Sequence, residues 1–375
     1  MRVALVVFKG LGWYGLQLAN GLRRLTELHV FAADAVVSRY GELLDPAVRL
    51  YPMRTCRYRN PAGLLVSLRA IRHIRNLDCD VVHLVHSEPW FNVCIPFLRS
   101  FPLITTVHDV RYHLGDRRSS VVPQWVADVA TRHSFTLVVH GEAQRAEVCR
   151  RFGIAPESVF SIPAINCSLY RKWAEPGVAE EPNNILFFGS IWEYKGLRYL
   201  MEAEELLGRE LGEFRITIAG TGEDFSRYEP YIRDPKHYEI LNEFIPDEKV
   251  AGLFQKASVV VIPYTDASQT GIAPLAFSFG KPVVATRVGS IPEIVSEGED
   301  GLLVEPRRPD ELARALLAIL QNPERKRRMS GNARRKADTR LSESRIAQRY
   351  LEVYSESLRR FRLQHRTRPG RRDAG

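Results

Sequence analysis

Cysteine is scarce and poorly spaced for joint work. The chain has five, Cys56, Cys79, Cys94, Cys149 and Cys167. An odd number without a CxxC pair excludes a disulfide framework and a thiolate metal site, and scattered free thiols in a reducing compartment are expected. No apolar run approaches the roughly 18 residues of a membrane span. The opening "MRVALVVFKGLGWYG" has one basic residue and a short apolar run before its glycines. That is too short and wrongly flanked for a signal peptide, and it reads as a buried first strand. The glycine pair of "ITIAGTGEDF" does not match GxGxxG, so no nicotinamide site is read from it. Aromatic and basic residues do not interleave as on a nucleic-acid surface, and no nucleic-acid partner is expected. Carboxylates are not clustered for Mg²⁺, so neither a metal nor another cofactor is expected. With neither a membrane span nor a signal peptide read, a cytoplasmic location, or a peripheral one at the inner face of the membrane, is expected.

What is present is enough chain for two cores. At 375 residues it is long for one ordinary domain and comfortable for two. Hydrophobic residues at 45% and charged residues at 26% give the balance of a globular protein. The net charge of +9 is uneven, because the tail "SLRRFRLQHRTRPGRRDAG" holds Arg359, Arg360, Arg362, Arg366, Arg368, Arg371 and Arg372. Such a run reads as a solvated, disordered terminus or as a segment drawn to an anionic membrane face.

Short apolar runs alternate with helical patterns along the whole length, which points to the α/β class with parallel sheets flanked by helices. In the first half "RVALVVF", "LHVF", "DVVHLV", "PLITTVH", "FTLVVH" and "SVFSIP" read as strands, and "GLLVSLRAIRHIRNL" as a helix. The rhythm breaks around "AINCSLYRKWAEPGVAEEPNN", where a linker is placed at 166–183. It restarts with "NILFFG", "FRITIAG", "YEILNEF", "SVVVIP", "KPVVAT" and "GLLVEP", and ends in the amphipathic "DELARALLAILQ" and "SRIAQRYLEVYSESLRR". Two Rossmann-like domains, 1–165 and 184–340, are therefore expected to face each other across a cleft. A closing helix at 341–358 and a basic tail at 359–375 follow. In open α/β sheets ligands bind beyond the carboxyl ends of strands, so the residues that matter should follow strands in both halves.

Three segments of the second half fit that rule. "FFGSIWEYKGLRYLMEA" places Gly189, then Lys195 and Gly196 at a helix start, where an ammonium and free N–H groups meet an anion such as a diphosphate. "ITIAGTGEDF" puts Gly220 and Gly222 directly after a strand, allowing a tight turn. "VVVIPYTDASQTGIAPLAFSFGKPVVATRVGSIPEIV" offers Asp266, Ser268, Gln269, Thr270 and Gly271 in a polar loop at a helix start.

Taken in order and spacing, these segments resemble the family-4 retaining glycosyltransferases of GT-B architecture, over nearly all of residues 184–320. The loop "DASQTG" is similar to that of a subgroup with SQ(S/T)G in place of the family's paired glutamates, whose positions hold Ala267 and Leu275 here. Ser190 stands where many members have arginine. The resemblance implies a sugar nucleotide as donor, a saccharide or lipid-linked acceptor, and metal-independent transfer with retention. It implies donor contacts from Gly12, Gly15, Gly189, Lys195, Gly220, Gly222, Ile245, Asp266, Ser268, Gln269, Thr270 and Gly271. "TVHDVRYHLGD" resembles the family's histidine segment, giving His108 to the transferred sugar and His113, with His86, to the acceptor side. Asp109 is the fallback base. His83, inside a strand, reads as a core residue, and His86 is undecided between core and site. A silent sugar-nucleotide-binding homologue and an epimerase or hydrolase on the same architecture are the alternatives.

Overall fold

The computed structural model describes residues 1–54, 56, 60–86, 88–111 and 123–366, except for the side chain of Arg366. The uninterrupted apolar runs become two all-parallel sheets whose inner strands are buried on both faces, as central parallel strands need to be, while the edge strands are partly exposed. The first sheet holds β1 (Arg2–Val7), β2 (Glu27–Ala33), β3 (Arg49–Met53), β4 (Val81–Leu84), β5 (Leu103–Thr106), β6 (Thr136–Val139) and β7 (Val159–Ser161), in the order β3-β2-β1-β4-β5-β6-β7. The second holds β8 (Asn184–Phe188), β9 (Arg215–Ala219), β10 (Tyr238–Leu241), β11 (Val259–Ile262), β12 (Val283–Thr286) and β13 (Gly301–Val304), in the order β10-β9-β8-β11-β12-β13. Each order reverses beside its first strand, the switch point where open sheets form a crevice.

Helices cover the sheets. The first unit has α1 (Gly12–Leu22), α2 (Asp34–Tyr40), α3 (Ala62–Asn76), α4 (Pro89–Cys94), α5 (Gln124–His133) and α6 (Glu142–Phe152). The second has α7 (Leu197–Leu211), α8 (Asp247–Lys256), α9 (Ile272–Ser278), α10 (Ile291–Ile294), α11 (Pro309–Leu320) and α12 (Pro323–Asp338). Two of these elements were invisible to periodicity. β3 contains Pro52, tolerable because β3 pairs on one side only. α12, "PERKRRMSGNARRKAD", buries only Met329, Ala333 and Ala337, a narrow stripe four residues apart.

The connection at 166–183 is not loose chain. Cys167 and Tyr170 are buried in the second unit's core, and Asn166 donates from its backbone to the Leu341 carbonyl and from its side chain to that of Ala337. The outgoing and returning crossovers are thus tied together.

The last helix, α13 (Glu343–Arg366), returns to the first unit. Tyr350 shares hydroxyl hydrogen bonds with Tyr14 and Thr106, both at 3.1 Å, and Tyr354 meets His83 Nδ1 at 2.6 Å. The helix also corrects the expected disordered tail, since it continues through residue 366. Phe361 packs edge-on against Phe135, and Arg360 and Arg362 reach Ser158 and Asp80. Residues 367–375 lie outside the described residues.

Candidate active site

The first unit presents the loops after four neighbouring strands, β1, β4, β5 and β6, at one edge of its sheet. Gly10 follows β1 and lies flat against His86, which follows β4; a Cβ at position 10 would sit 2.9 Å from His86 Nε2. His108 follows β5. Its Nε2 donates to the Val85 carbonyl at 2.9 Å, and its Nδ1 is 2.9 Å from Nε2 of His140, the first residue beyond β6. His140 Nδ1 in turn donates to the Ile162 carbonyl at 3.0 Å. The Tyr14 ring stands edge-on to both imidazoles. Burial pushes both histidines below their ordinary value, His140 to about 4. The Gln144 amide fixes the loops from behind, accepting from the His140 N–H and donating to the Val107 and His108 carbonyls. Asp109, next in sequence, is exposed.

The second unit answers with the loops after β8, β9 and β11. Lys195 ends a tight turn before α7, its ammonium 3.9 Å from the centre of the Tyr264 ring and 5.0 Å from that of Tyr194. Burial works against its charge, but Tyr264, Tyr194 and Asp109 outweigh it and raise its pKa. The Asp109 carboxylate of the first unit is therefore within electrostatic reach of Lys195 in the second. Gly196 makes the arrangement feasible: its φ is +70° and a Cβ there would lie 1.9 Å from the Pro263 carbonyl oxygen. Gly189 and Gly220 meet back to back, and Gly222 bridges to Ile191, so these glycines let two loops lie against one another.

In the loop after β11, Asp266 faces Arg111 of the first unit at 3.5 Å. Ser268 and Thr270 are buried, and the Thr270 hydroxyl accepts from the Ile272 N–H at the start of α9. Gln269 Oε1 is shielded from solvent and has no hydrogen-bond partner among the described residues. It is an acceptor awaiting a donor. Ala267 and Leu275 are packed into the second unit's core.

A cavity of about 690 Å³ lies between the units, lined by Lys9, Gly10 and Arg39 on one side and Phe188, Phe244 and Ile245 on the other. Its size is that of small-molecule sites. At its rim Arg39 Nε donates to Asp247 Oδ2 at 2.6 Å and the guanidinium lies over the Phe244 ring.

Two family models match the chain, one in each half. "Glycosyltransferase Family 4" covers residues 8–164 and "Glycosyl transferases group 1" covers residues 182–322. The chain belongs to the family 4 glycosyltransferases. This glycosyltransferase is 26% identical to the MMP alpha-(1->4)-mannosyltransferase of Mycolicibacterium hassiacum, over 96% of its own length and 99% of the relative's. It is also 26% identical to the D-inositol 3-phosphate glycosyltransferase of Thermobispora bispora, over 96% and 92% of the two chains. In fold it is similar to Anabaena HepE in complex with UDP, with a TM-score of 0.70, 18% identity and coverage of 95% and 100%. A Rickettsia africae glycosyltransferase gives a TM-score of 0.70 at 17% identity, over 95% and 98% of the two chains. The two-domain GT-B fold is thus established.

Of the sequence-derived residues, Gly189, Lys195, Gly220, Gly222, Asp266, Ser268, Gln269, Thr270 and Gly271 follow β8, β9 and β11 in the second unit, His86, His108 and Asp109 follow β4 and β5 in the first, and Ile245 lines the cavity. Gly12 and Gly15 are placed differently from the expected ligand loop. Both lie inside α1, where a Cβ would strike Val36 and Val7 respectively, so their small size serves the seating of the helix. His113 lies outside the described residues. His83 is fully buried between Tyr354 and Thr106, and burial lowers its pKa to about 3. Sequence reasoning missed His140, Arg39 and Asp247. Only His140 left a signal, since "FTLVVH" ends on histidine just as "PLITTVH" does one strand earlier.

Proposed function

We propose that this glycosyltransferase moves a sugar from a nucleoside diphosphate sugar to a saccharide or lipid-linked hydroxyl, with retention of configuration and without a metal ion, in polysaccharide or glycoconjugate synthesis. The observation that carries the reading is the placement of Lys195, beside the β8 and β9 glycine turns, opposite Asp109 across the cleft. As the anomeric carbon–oxygen bond breaks, negative charge grows on the departing diphosphate. A lysine ammonium and loop N–H groups already in position stabilise that charge without reorganising. The acceptor oxygen bonds to the anomeric carbon from the face the leaving group quits, and its proton passes to a diphosphate oxygen. Gln269 Oε1, shielded from solvent and without a partner among the described residues, would accept from a hydroxyl or N–H of the donor. The relatives named as a mannosyltransferase and as a D-inositol 3-phosphate glycosyltransferase, and HepE in complex with UDP, support the donor class.

The test is a thermal-shift and calorimetric screen of UDP-, GDP- and ADP-sugars in EDTA. One nucleotide is expected to raise the melting temperature of the wild type and not of Lys195→Ala. Product anomers read by NMR decide retention. Dependence of binding or turnover on added Mg²⁺ would overturn the metal-free part.

A lipid-linked acceptor at an anionic membrane has its own support. α3, α4, the following turn Ile95–Leu98 and α5 form one layer that exposes Leu65, Val93, Phe97 and Trp125. Arg69, Arg72, Arg99 and Arg132 are exposed around them, and the layer's acidic residue Asp128 is buried and paired with Arg151. Apolar anchors ringed by arginine suit anionic headgroups. Flotation with phosphatidylglycerol vesicles is expected to carry the wild type and to lose Phe97→Ser/Trp125→Ser. Equal flotation of both would sink the surface, and loss only on removal of 367–375 would transfer the role to the tail.

A further inference from the structure

The His108–His140 contact does not close with two ordinary neutral rings. His108 Nε2 faces the Val85 carbonyl and His140 Nδ1 faces the Ile162 carbonyl, so each must carry a proton to make its bond. A neutral imidazole has one N–H. With both spent on carbonyls, His108 Nδ1 and His140 Nε2 would confront each other at 2.9 Å as two lone pairs. Three hydrogen bonds across two rings require three protons and therefore one positive charge.

We propose that His108 and His140 hold that third proton jointly as a single cationic unit, with His140 as a positioning residue that locks His108 and ties donor binding to proton uptake. The last part rests on the reading that a nucleoside diphosphate enters the cleft.

The surroundings set the balance. Burial disfavours the charge on both rings, and His86, its ring 6.3 Å from that of His108, opposes it too. Asp109 favours it from the cleft side. From α1, Tyr14 contributes its ring edge while its hydroxyl is held by Tyr350, and from α6 the neutral Gln144 amide contributes no charge. Asp109 also favours the charge on Lys195, so the unit and the lysine share it as a neighbour. In the unliganded protein burial and His86 therefore work against the third proton, while Asp109 and the two carbonyl bonds work for it. A diphosphate brought into the cleft adds negative charge that recruits the missing proton and completes the chain from Val85 to Ile162. His108 then acts as a fixed, charged wall of the site, because neither of its ring nitrogens is left to turn toward a sugar.

Two measurements test this separately. In the ligand-free protein labelled with ¹⁵N-histidine, long-range proton–nitrogen spectra across pH 4–8 are expected to show His108 and His140 titrating in one coupled step, His108 as the Nε2–H tautomer and His140 as Nδ1–H when neutral. Two independent titrations, or the opposite tautomers, would overturn the shared proton whatever the donor. In calorimetry with UDP at pH 6.5, run in buffers of different ionisation enthalpy, the wild type is expected to take up protons on binding. His140→Gln, which leaves His108 no second ring to share a proton with, should take up none at pH 6.5 or pH 8. His140→Ala should lose affinity at both pH values. Equal uptake in wild type and His140→Gln overturns the linkage. If UDP binds to none of them, the linkage falls with the donor reading, while the spectra still decide the couple.

Discussion

The Glu293 carboxylate of the second unit sits on the first turn of α6 in the first, accepting from the Glu142 N–H at 2.7 Å and the Ala143 N–H at 2.9 Å. Helix starts carry unpaired N–H groups and partial positive charge, and here the matching carboxylate comes from the opposite unit. Gly141 makes room for it, since a Cβ there would lie 2.3 Å from Ser290 Oγ. The contact is a clasp that forms only when the two units are together.

Glu293→Ala should cost about 1 kcal/mol, as the loss of a helix cap does, because water can reach the freed N–H groups. Its larger effect should be on shape. Small-angle scattering of the variant is expected to give a larger radius of gyration than wild type. An unchanged curve would assign closure to other contacts, chiefly Arg39–Asp247.

Lys195→Met removes the ammonium and keeps much of the packing. Affinity for the donor nucleotide, measured calorimetrically, should fall at least tenfold, or about 1.4 kcal/mol. The ligand-free melting temperature should fall as well, since a shielded cation beside two tyrosine rings contributes about 2 kcal/mol. A large loss of stability with intact binding would make Lys195 a structural residue.

Two glycine replacements should differ in sign. At Gly196 an alanine meets both a left-handed backbone and the Pro263 carbonyl, so Gly196→Ala should cost several kcal/mol, on the order of a core defect, and distort the Lys195 turn. At Gly252, inside α8, a Cβ meets nothing within 4 Å. Gly252→Ala should therefore stabilise by roughly 0.5–1 kcal/mol. Urea unfolding of the pair reads both.

That contrast shows how far residues alone can be read. Lys195, Gly196 and the loop through Gln269 were legible because each sits just after an apolar run within one stretch of chain. Arg39 and Asp247 were not, because their pairing joins residues from different units and no local pattern marks it. Glu293 lay inside a quoted segment, but its work is defined by where α6 begins, about 150 residues earlier by its contacts with Glu142 and Ala143. Gly15 misled in the other direction. A glycine near a first strand suits a ligand loop, and only the position of Val7 shows that it seats a helix.

His83 makes stability depend on pH. Its folded value is lowered by burial from 6.5 to about 3, so the unfolded chain binds a proton first as pH falls. Its contribution is whole above pH 6.5 and is lost progressively down to about pH 3. At pH 5 the loss is about 2 kcal/mol for one such group. His83→Phe should be less stable at pH 7.5, having lost bonds to Tyr354 and Thr106, yet show a smaller drop between pH 7.5 and 5.0 in urea titrations. An equal drop would locate the acid sensitivity elsewhere.

The return of α13 to the first unit sets an order of assembly. Synthesis delivers β1 through β7 first, yet Tyr14, His83 and Thr106 wait for Tyr350 and Tyr354, which emerge some hundreds of residues later. The unit between Asn184 and Asp338 is continuous in sequence and has no such wait. The half of the protein that leaves the ribosome first is therefore the half that matures last, and a chain cut short before α13 holds a finished second unit beside an unfinished first one.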